Sequence, residues 1–396
     1  MKYVVVGGAG AMGRITVRDL VETVKADDQI VIADYDIKKA RLLADSYNDS
    51  RVSAVFVDVK NVAETAKTLH GAFAVINGAQ YQLNLLVMEA ALAAKIHYLD
   101  LGGLFHVTRQ QLELDDRFKR IGRTALIGMG AAPGITNVLS RFAADQLDTV
   151  REIHTRIGSM DKTKYLPKPA LAVSYSLKTI LEEFSFEPAV FTKGEFKFIT
   201  PMSGDTPHRF PAPVGIRRPM FTIHSEVATL PFSFKNKGVQ EVSFKIAFDA
   251  EFVDRVRFLR DLGLASHDLI QIGEVQVAPI DVVNRVAMSQ PVAKQVGALR
   301  QHEVVRAIVK GTKKGKKVTI VADCHTSGMP KWGVGLDVNT GSPPAIAAQM
   351  LAAGEITETG AIPAELAVPP EPFFKHLKKR RMVVKCKTFS GWSFRS

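Results

Sequence analysis

The stretch Met1-Lys2-Tyr3-Val4-Val5-Val6-Gly7-Gly8-Ala9-Gly10-Ala11-Met12-Gly13 decides the fold. A β-branched apolar run leads into Gly8-x-Gly10-x-x-Gly13, and a helix-forming stretch follows. Strand, glycines and helix in that order form a dinucleotide-binding fingerprint in which each glycine has a physical task. Gly8 is expected to make the tight turn out of the strand. Gly10 has no side chain, so a pyrophosphate can approach the backbone, and Gly13 lets the helix pack on the strand. Ala11 and Met12 complete the loop, and the helix start offers the phosphates free N–H groups and a positive dipole end.

Working outward, Gln29–Ala33 reads as a second strand ending in Asp34, 21 residues beyond Gly13 (34 − 13). That is close to the spacing of the acid that binds the ribose hydroxyls. Its charge opposes a 2′-phosphate and favours NAD, while Lys38, Lys39 and Arg41 just downstream keep NADP open. Further β-branched runs follow at Ser53–Val57, Ala72–Ile76, Ile96–Leu99 and Thr124–Ile127, separated by helical stretches such as Leu83–Ala94. Short strands alternating with helices imply a doubly wound parallel sheet of the Rossmann type. Ligands in such sheets sit beyond the carboxyl ends of the strands. Asp34, Asp58, Asn77 with Gly78, Asp100 and Gly128 occupy those ends and are expected to border the cofactor crevice.

After about Asp148 the pattern changes. Glu241–Phe248 alternates polar and apolar residues, and Val304–Val309 and Lys317–Ala322 flank a Gly/Lys turn. This reads as an inserted α+β domain with an open mixed sheet. Thr200–Pro219, rich in proline and glycine, is expected to be a loop near a site. The chain turns helical again from Gly341. The expected division is a dinucleotide-binding domain over 1–130, an α+β substrate and oligomerisation domain over 131–340, and a return helix with a basic tail over 341–396.

Bulk properties narrow the class. A chain of 396 residues that is 46% hydrophobic and 23% charged can build its core without staples. Two cysteines make no disulfide framework, no stretch has the length of a membrane span, and the first strand starts at the N-terminus. A cytoplasmic, reduced protein is therefore expected. The net charge of +12 raises nucleic-acid binding, but much of the excess lies after Glu371, from Lys375 to Arg395, where it reads as a solvated tail.

Several phrases occur in an order that resembles the saccharopine dehydrogenase family. They are the glycine motif, His97-Tyr98-Leu99-Asp100-Leu101-Gly102-Gly103, Gly130-Ala131-Ala132-Pro133-Gly134-Ile135-Thr136-Asn137, and Gly341-Ser342-Pro343-Pro344-Ala345-Ile346-Ala347-Ala348. Tyr175–Phe184 and His224–Pro231 make the lysine 6-dehydrogenases the nearest resemblance within it. The resemblance implies NAD(P)-dependent oxidation, or reductive formation, of a carbon–nitrogen bond. The expected reaction is oxidative deamination of the ε-amine of L-lysine to 2-aminoadipate 6-semialdehyde. Saccharopine or carboxynorspermidine chemistry is the alternative, and a cofactor-binding protein without turnover is the rival outside catalysis. A homodimer or homotetramer is expected.

Such chemistry needs a base, because an ammonium group has no free lone pair to form an imine. His224 is the leading candidate, with Glu226 on the same strand face if the segment is extended. Asp100 beside two glycines is a second. Arg217 and Arg218 in the proline-rich segment are candidate carboxylate anchors. Tyr175 is a further substrate-binding candidate and His106 a weaker one. Pro133-Gly134 reads as a helix start facing the cofactor. No His/Cys/Asp cluster has ligand spacing, so no metal is expected.

Overall fold

Two seven-stranded sheets organise the chain, and the C-terminal segment contributes a strand to each. The structure, a computed structural model, describes residues 1–171, 176–291 and 293–392. In the order of the chain, the strands of these sheets are β1 (Lys2–Val6), β2 (Gln29–Asp34), β3 (Val52–Phe56), β4 (Ala74–Asn77), β5 (His97–Asp100) and β6 (Thr124–Ile127), then β7 (Thr149–Asp161), β8 (Ala189–Thr192), β9 (Glu195–Phe198), β10 (Glu241–Ile246), β11 (Gln301–Lys313) and β12 (Lys316–Thr326), and finally β13 (Gly360–Pro363) and β14 (Val383–Ser390).

The first sheet runs β13-β6-β5-β4-β1-β2-β3, and all of its ladders are parallel. Its order reverses between β1 and β4, which opens the crevice outside their carboxyl ends. Tyr3 and Val5 face one core and Val4 and Val6 another, so β1 is apolar throughout because helices cover both faces. The sequence reading finds β1 to β6 within a residue or two. It does not find β13, whose Gly-Ala-Ile-Pro carries almost no strand signal.

The second sheet runs β9-β8-β10-β7-β11-β12-β14. It is mixed, with β10 parallel to β7 and the other ladders antiparallel. One face carries Ile153, Phe244 and Val309 beneath the helix Glu226–Ser233, while Val305 and Ala307 pack on the helix Ile135–Ala144. That helix follows β6 after the loop 128–134, so the crevice of the first sheet and this face of the second share one wall.

The basic tail is not solvated chain. Residues 383–390 form β14, where Lys385 lies opposite Asp323 and Lys387 opposite Val321. Lysines on a strand with one unpaired side guard it against pairing with other chains. Among the described residues no helix is long and apolar enough to cross a membrane.

Candidate functional site

The glycine loop has the geometry a dinucleotide requires, with one reassignment. The turn out of β1 is made by Gly7 at φ +65°, not by Gly8. A Cβ at Gly7 would lie 2.8 Å from Ala79 N. Gly8 is instead held close to β1 and β2, where a Cβ would meet Val5 O at 2.8 Å and Ile32 Cγ2 at 3.0 Å. At Gly13 it would sit 2.1 Å from Gly7 O, so the first helix can approach only as glycine. Gly10 differs: its Cβ would meet only Gly7 O, at 3.0 Å, and otherwise faces open space. Among the described residues the N–H groups of Ala11, Met12 and Gly13 find no acceptor, which suits a phosphate at this helix start.

Asp34 stands at the rim of this loop. Its Oδ2 accepts from Ala9 N at 3.0 Å and its Oδ1 from Asp36 N at 2.9 Å, leaving lone pairs on both oxygens. A cleft of about 340 Å³ continues from it, lined by Gly7, Asp34, Tyr35, Asp58, Ala79 and Leu83. Asn77 shapes the cleft from below: its amide donates to Asn84 Oδ1 at 2.8 Å and its oxygen accepts from Ala79 N at 3.2 Å. Gly78 N donates to Val6 O at 2.8 Å and keeps that turn against β1. Pro133 packs where side chains on Gly102 and Gly128 would be, 2.8 Å from either Cβ position. Gly134, at φ +123°, donates its N–H to Asn137 Oδ1 at 3.0 Å and opens the helix Ile135–Ala144. Pro133 and Gly134 therefore close the wall between β5 and β6. These residues fit a nicotinamide dinucleotide in charge, backbone donors and room.

At the same wall the second domain delivers His224 and Glu226. They are not on a strand. Glu226 is the first residue of the helix Glu226–Ser233, where an acid suits the positive end of the dipole. The two side chains still meet, because Nδ1 of His224 hydrogen-bonds Oε2 of Glu226 and Oε1 accepts from Thr136 Oγ1 at 2.7 Å. The imidazole stacks on Phe244 with ring centroids 3.8 Å apart. Ser225, between the two, donates to Leu104 O at 2.9 Å and accepts from Gly103 N at 3.3 Å. The pair is thus fastened to the loop after β5 as well as to the helix after β6. Burial opposes the imidazolium, but the Glu226 and Glu183 carboxylates outweigh it, so His224 titrates above its ordinary value. Among the described residues Nε2 has no hydrogen-bond partner. A ring nitrogen held by a carboxylate with the other one free is the arrangement of a positioned base.

Asp100 is not such a base. Its Oδ1 accepts from Gly102 N at 2.9 Å and Gly128 N at 2.7 Å. Its Oδ2 accepts from Tyr98 Oη at 2.9 Å, Gln111 Nε2 at 2.5 Å and Asn84 Nδ2 at 3.3 Å. Fully buried and with both oxygens saturated, it ties the ends of β5 and β6 together. Arg217 and Arg218 are also elsewhere. Arg217 donates to the carbonyls of Ser159 and Ile216, and Arg218 pairs with Asp205 on the surface. The proline-rich segment folds a short hairpin, His208–Arg209 with Ile216–Arg217. Its Phe210 packs with Val304 and against Gly158, whose side-chain positions point away from the His224 face by the alternation of β11 and β7. Tyr175 lies outside the described residues. His106 is exposed and stacks on Phe198.

The sequence reading missed Glu182. It is buried in the helix Leu177–Ser185, yet both of its oxygens accept from Gln82 Nε2, at 3.0 and 3.1 Å, across the crevice from the loop after β4. His267 Nε2 approaches Oε1 at 3.0 Å, and burial pushes the Glu182 carboxyl up. Adjacent acids on the buried side of an amphipathic helix were the one signal. A second cluster, Glu152, His154 and Glu241, lies on the far face of the second sheet. There the hydrogen bond from His154, with Lys310 beside it, holds Glu152 down at about 2.

Comparison with known proteins places the chain in a family. The family model described as saccharopine dehydrogenase NADP binding domain matches residues 4–126, and that described as saccharopine dehydrogenase C-terminal domain matches residues 130–383. A carboxyaminopropylagmatine dehydrogenase from Synechocystis sp. is 23% identical over 95% of this chain and 95% of its own. A carboxynorspermidine synthase from Vibrio cholerae is 23% identical over 93% of this chain and 92% of its own. The apo saccharopine dehydrogenase (L-Glu forming) of Saccharomyces cerevisiae shares the fold, with a TM-score of 0.73 and 16% identity over 98% of this chain and all of its own.

Proposed function

Because the chain belongs to the saccharopine dehydrogenase family and is an NAD(P)-dependent oxidoreductase acting on CH–NH groups, we propose that it forms or oxidises the carbon–nitrogen bond of a carboxyl-bearing amine whose far end is cationic. The observation that carries this is the His224–Glu226 pair fastened beyond β5 and β6, with the buried Glu182 hydrogen-bonded to Gln82 after β4. When bound, the nicotinamide exchanges hydride with the carbon that bears nitrogen. His224 Nε2 takes the proton from the amine, whose ordinary pKa near 10.4 leaves it protonated otherwise. Glu226 fixes the ring, and the buried carboxylates make the crevice attractive to a cationic chain.

The names of the relatives favour a carboxyalkyl derivative of a diamine, polyamine or agmatine. Deamination of the L-lysine ε-amine is the second reading, favoured by the same negative crevice and the phrases Tyr175–Phe184 and His224–Pro231. NAD is the proposed cofactor because of the Asp34 charge, and NADP is assayed beside it. A cytoplasmic setting, supported by the two free cysteines, and a homodimer or homotetramer belong to the same proposal. The test is to assay carboxynorspermidine, carboxyaminopropylagmatine, saccharopine and L-lysine for cofactor reduction, with each dinucleotide. Turnover with a carboxyalkyl amine and little with lysine supports the first reading, and the reverse supports the second. No turnover with any amine rejects both.

A further inference from the structure

The far face of the second sheet carries side chains that the proposed reaction does not use. Ile153 points to the face beneath the helix Glu226–Ser233, so Glu152 and His154 of β7 point to the opposite one. In the parallel ladder Glu241 of β10 stands directly beside Glu152, and Ser243 beside His154. One ligand atom from each of Glu152, His154 and Glu241 lies within 4.8 Å of the other two. The side chains of Glu152 and His154 are only 13% and 18% exposed, so this is not a solvated acidic surface. No spacing along the chain announces the group, because β10 brings Glu241 in from a distant segment.

Two carboxylates facing each other on neighbouring strands repel. Glu152 has cations to face: Lys310 Nζ lies 2.7 Å from its Oε2, and the exposed Arg151 places Nε 3.6 Å from its Oε1. The Glu241 carboxylate has no such partner among the described residues. Burial holds the His154 imidazole down at about 4, so near pH 7 it is neutral and has a lone pair to give. Its Nδ1 lies 2.8 Å from Ser243 Oγ and its Nε2 3.2 Å from Glu152 Oε2. With the ring proton on Nδ1 and donated to Ser243, a bare Nε2 faces the carboxylates. A hydrogen bond from the second ring nitrogen is the support that metal-bound histidines use. Ser243 is in turn held in place, since its Oγ accepts from Arg156 Nη2 at 3.1 Å.

We propose that Glu152, His154 and Glu241 bind a zinc ion that clamps β10 to β7. One imidazole nitrogen with two carboxylate oxygens suits such a borderline cation, whereas magnesium and calcium take oxygen ligands. Three protein ligands leave a fourth position for water. Zinc bonds of about 2 Å need the ligand atoms closer than they stand, and the two glutamates close the gap by side-chain rotation. The ion displaces the Lys310 ammonium from Glu152, so Lys310 is its competitor. It pins β10 to the middle of the sheet, and with β10 the outer strands β8 and β9. The site lies on the side of the sheet away from His224 and depends on neither the substrate nor the reaction.

Calorimetric titration with zinc chloride tests it, on the full chain without an affinity tag and dialysed against a chelator. The wild type is expected to bind one zinc ion per chain in the micromolar range and to melt at a higher temperature with it. Glu241→Gln alters a side chain that has no partner to lose, so it should fold with unchanged circular dichroism and bind zinc at least about 100-fold more weakly. His154→Ala should weaken binding to the same degree. Lys310→Met should bind about tenfold more tightly, because the competing charge is gone. Magnesium and calcium chloride should give no binding heat at the same concentrations. A wild type that takes up no zinc overturns the proposal. Zinc held equally by the wild type, Glu241→Gln and His154→Ala, as it would be at His224 and Glu226, overturns the site. Magnesium or calcium bound as tightly as zinc overturns the choice of metal.

Discussion

Replacing Glu226 by Gln tests the proposed catalytic pair most directly. The shape is kept, and Oε1 can still accept from Thr136. What disappears is the negative charge facing Nδ1 of His224. Glu226 has no exposed surface, and a hydrogen bond to a charged group in such a setting contributes about 1.5–3 kcal/mol. The Gln amide can also donate to Nδ1, which leaves the ring proton on Nε2, where a base must be bare. Turnover in the oxidative direction should fall about 10²-fold or more, the scale of a lost general base. Dinucleotide affinity by fluorescence titration should change little. The pH profile carries the sharper sign. In the wild type burial favours the neutral ring, but the carboxylates of Glu226 and Glu183 outweigh it, so the rising limb of oxidation lies above the ordinary imidazole value near 6.5. Without the Glu226 charge, burial dominates and the limb moves to lower pH. Stability follows the same linkage. A raised folded-state pKa contributes stability that is fully present below the unfolded value near 6.5 and is lost as pH rises through the folded value. The wild type should therefore exceed the variant by about 2 kcal/mol at pH values of about 6 and below, with the gap shrinking on the alkaline side. A variant with wild-type turnover, an unmoved limb and a pH-independent stability gap would refute the assignment.

Three further outcomes are expected. Gly10→Ala should keep its circular dichroism and melting temperature but lose about tenfold or more in dinucleotide affinity, whereas Gly13→Ala, with a Cβ 2.1 Å from Gly7 O, should be markedly less stable; equal behaviour of the two would undo the reading of the loop. Asp34→Asn removes the charge at the ribose and should weaken NAD by about 1–3 kcal/mol while improving NADP relative to it; a wild type that already prefers NADP would move the determinant to Lys38, Lys39 or Arg41. Glu182→Gln keeps the hydrogen-bonding shape across the crevice and should raise KM for a cationic substrate about tenfold or more with a smaller change in kcat; unchanged KM for every amine tested would remove Glu182 from recognition.

The sequence by itself pointed to β1 to β6, because β1, β4, β5 and β6 are almost wholly buried and are written mainly in apolar residues, and because Gly10 and Gly13 occupy places where a side chain blocks a ligand or collides with the backbone. It also pointed to His224 and Glu226, two residues apart. Their pairing on one side was legible, but the reason offered for it, a strand, was not the one the chain uses. Tertiary structure decided the rest. Gly360–Pro363 becomes β13 only because β6 presents an open edge, and the lysines of 383–390 become edge guards only because β12 lies beside them. Asp100 is a knot and not a base because five donors, drawn from separate segments of the first domain, converge on it. Arg217 leaves the site because Phe210 carries its hairpin to the far face of the second sheet. Glu182 enters it through Gln82, a hundred residues earlier in the chain. Local periodicity and glycine sterics act between near neighbours and can be read along a sequence. The partners of a buried carboxylate are set by which segments the packing brings together, and no local pattern encodes them.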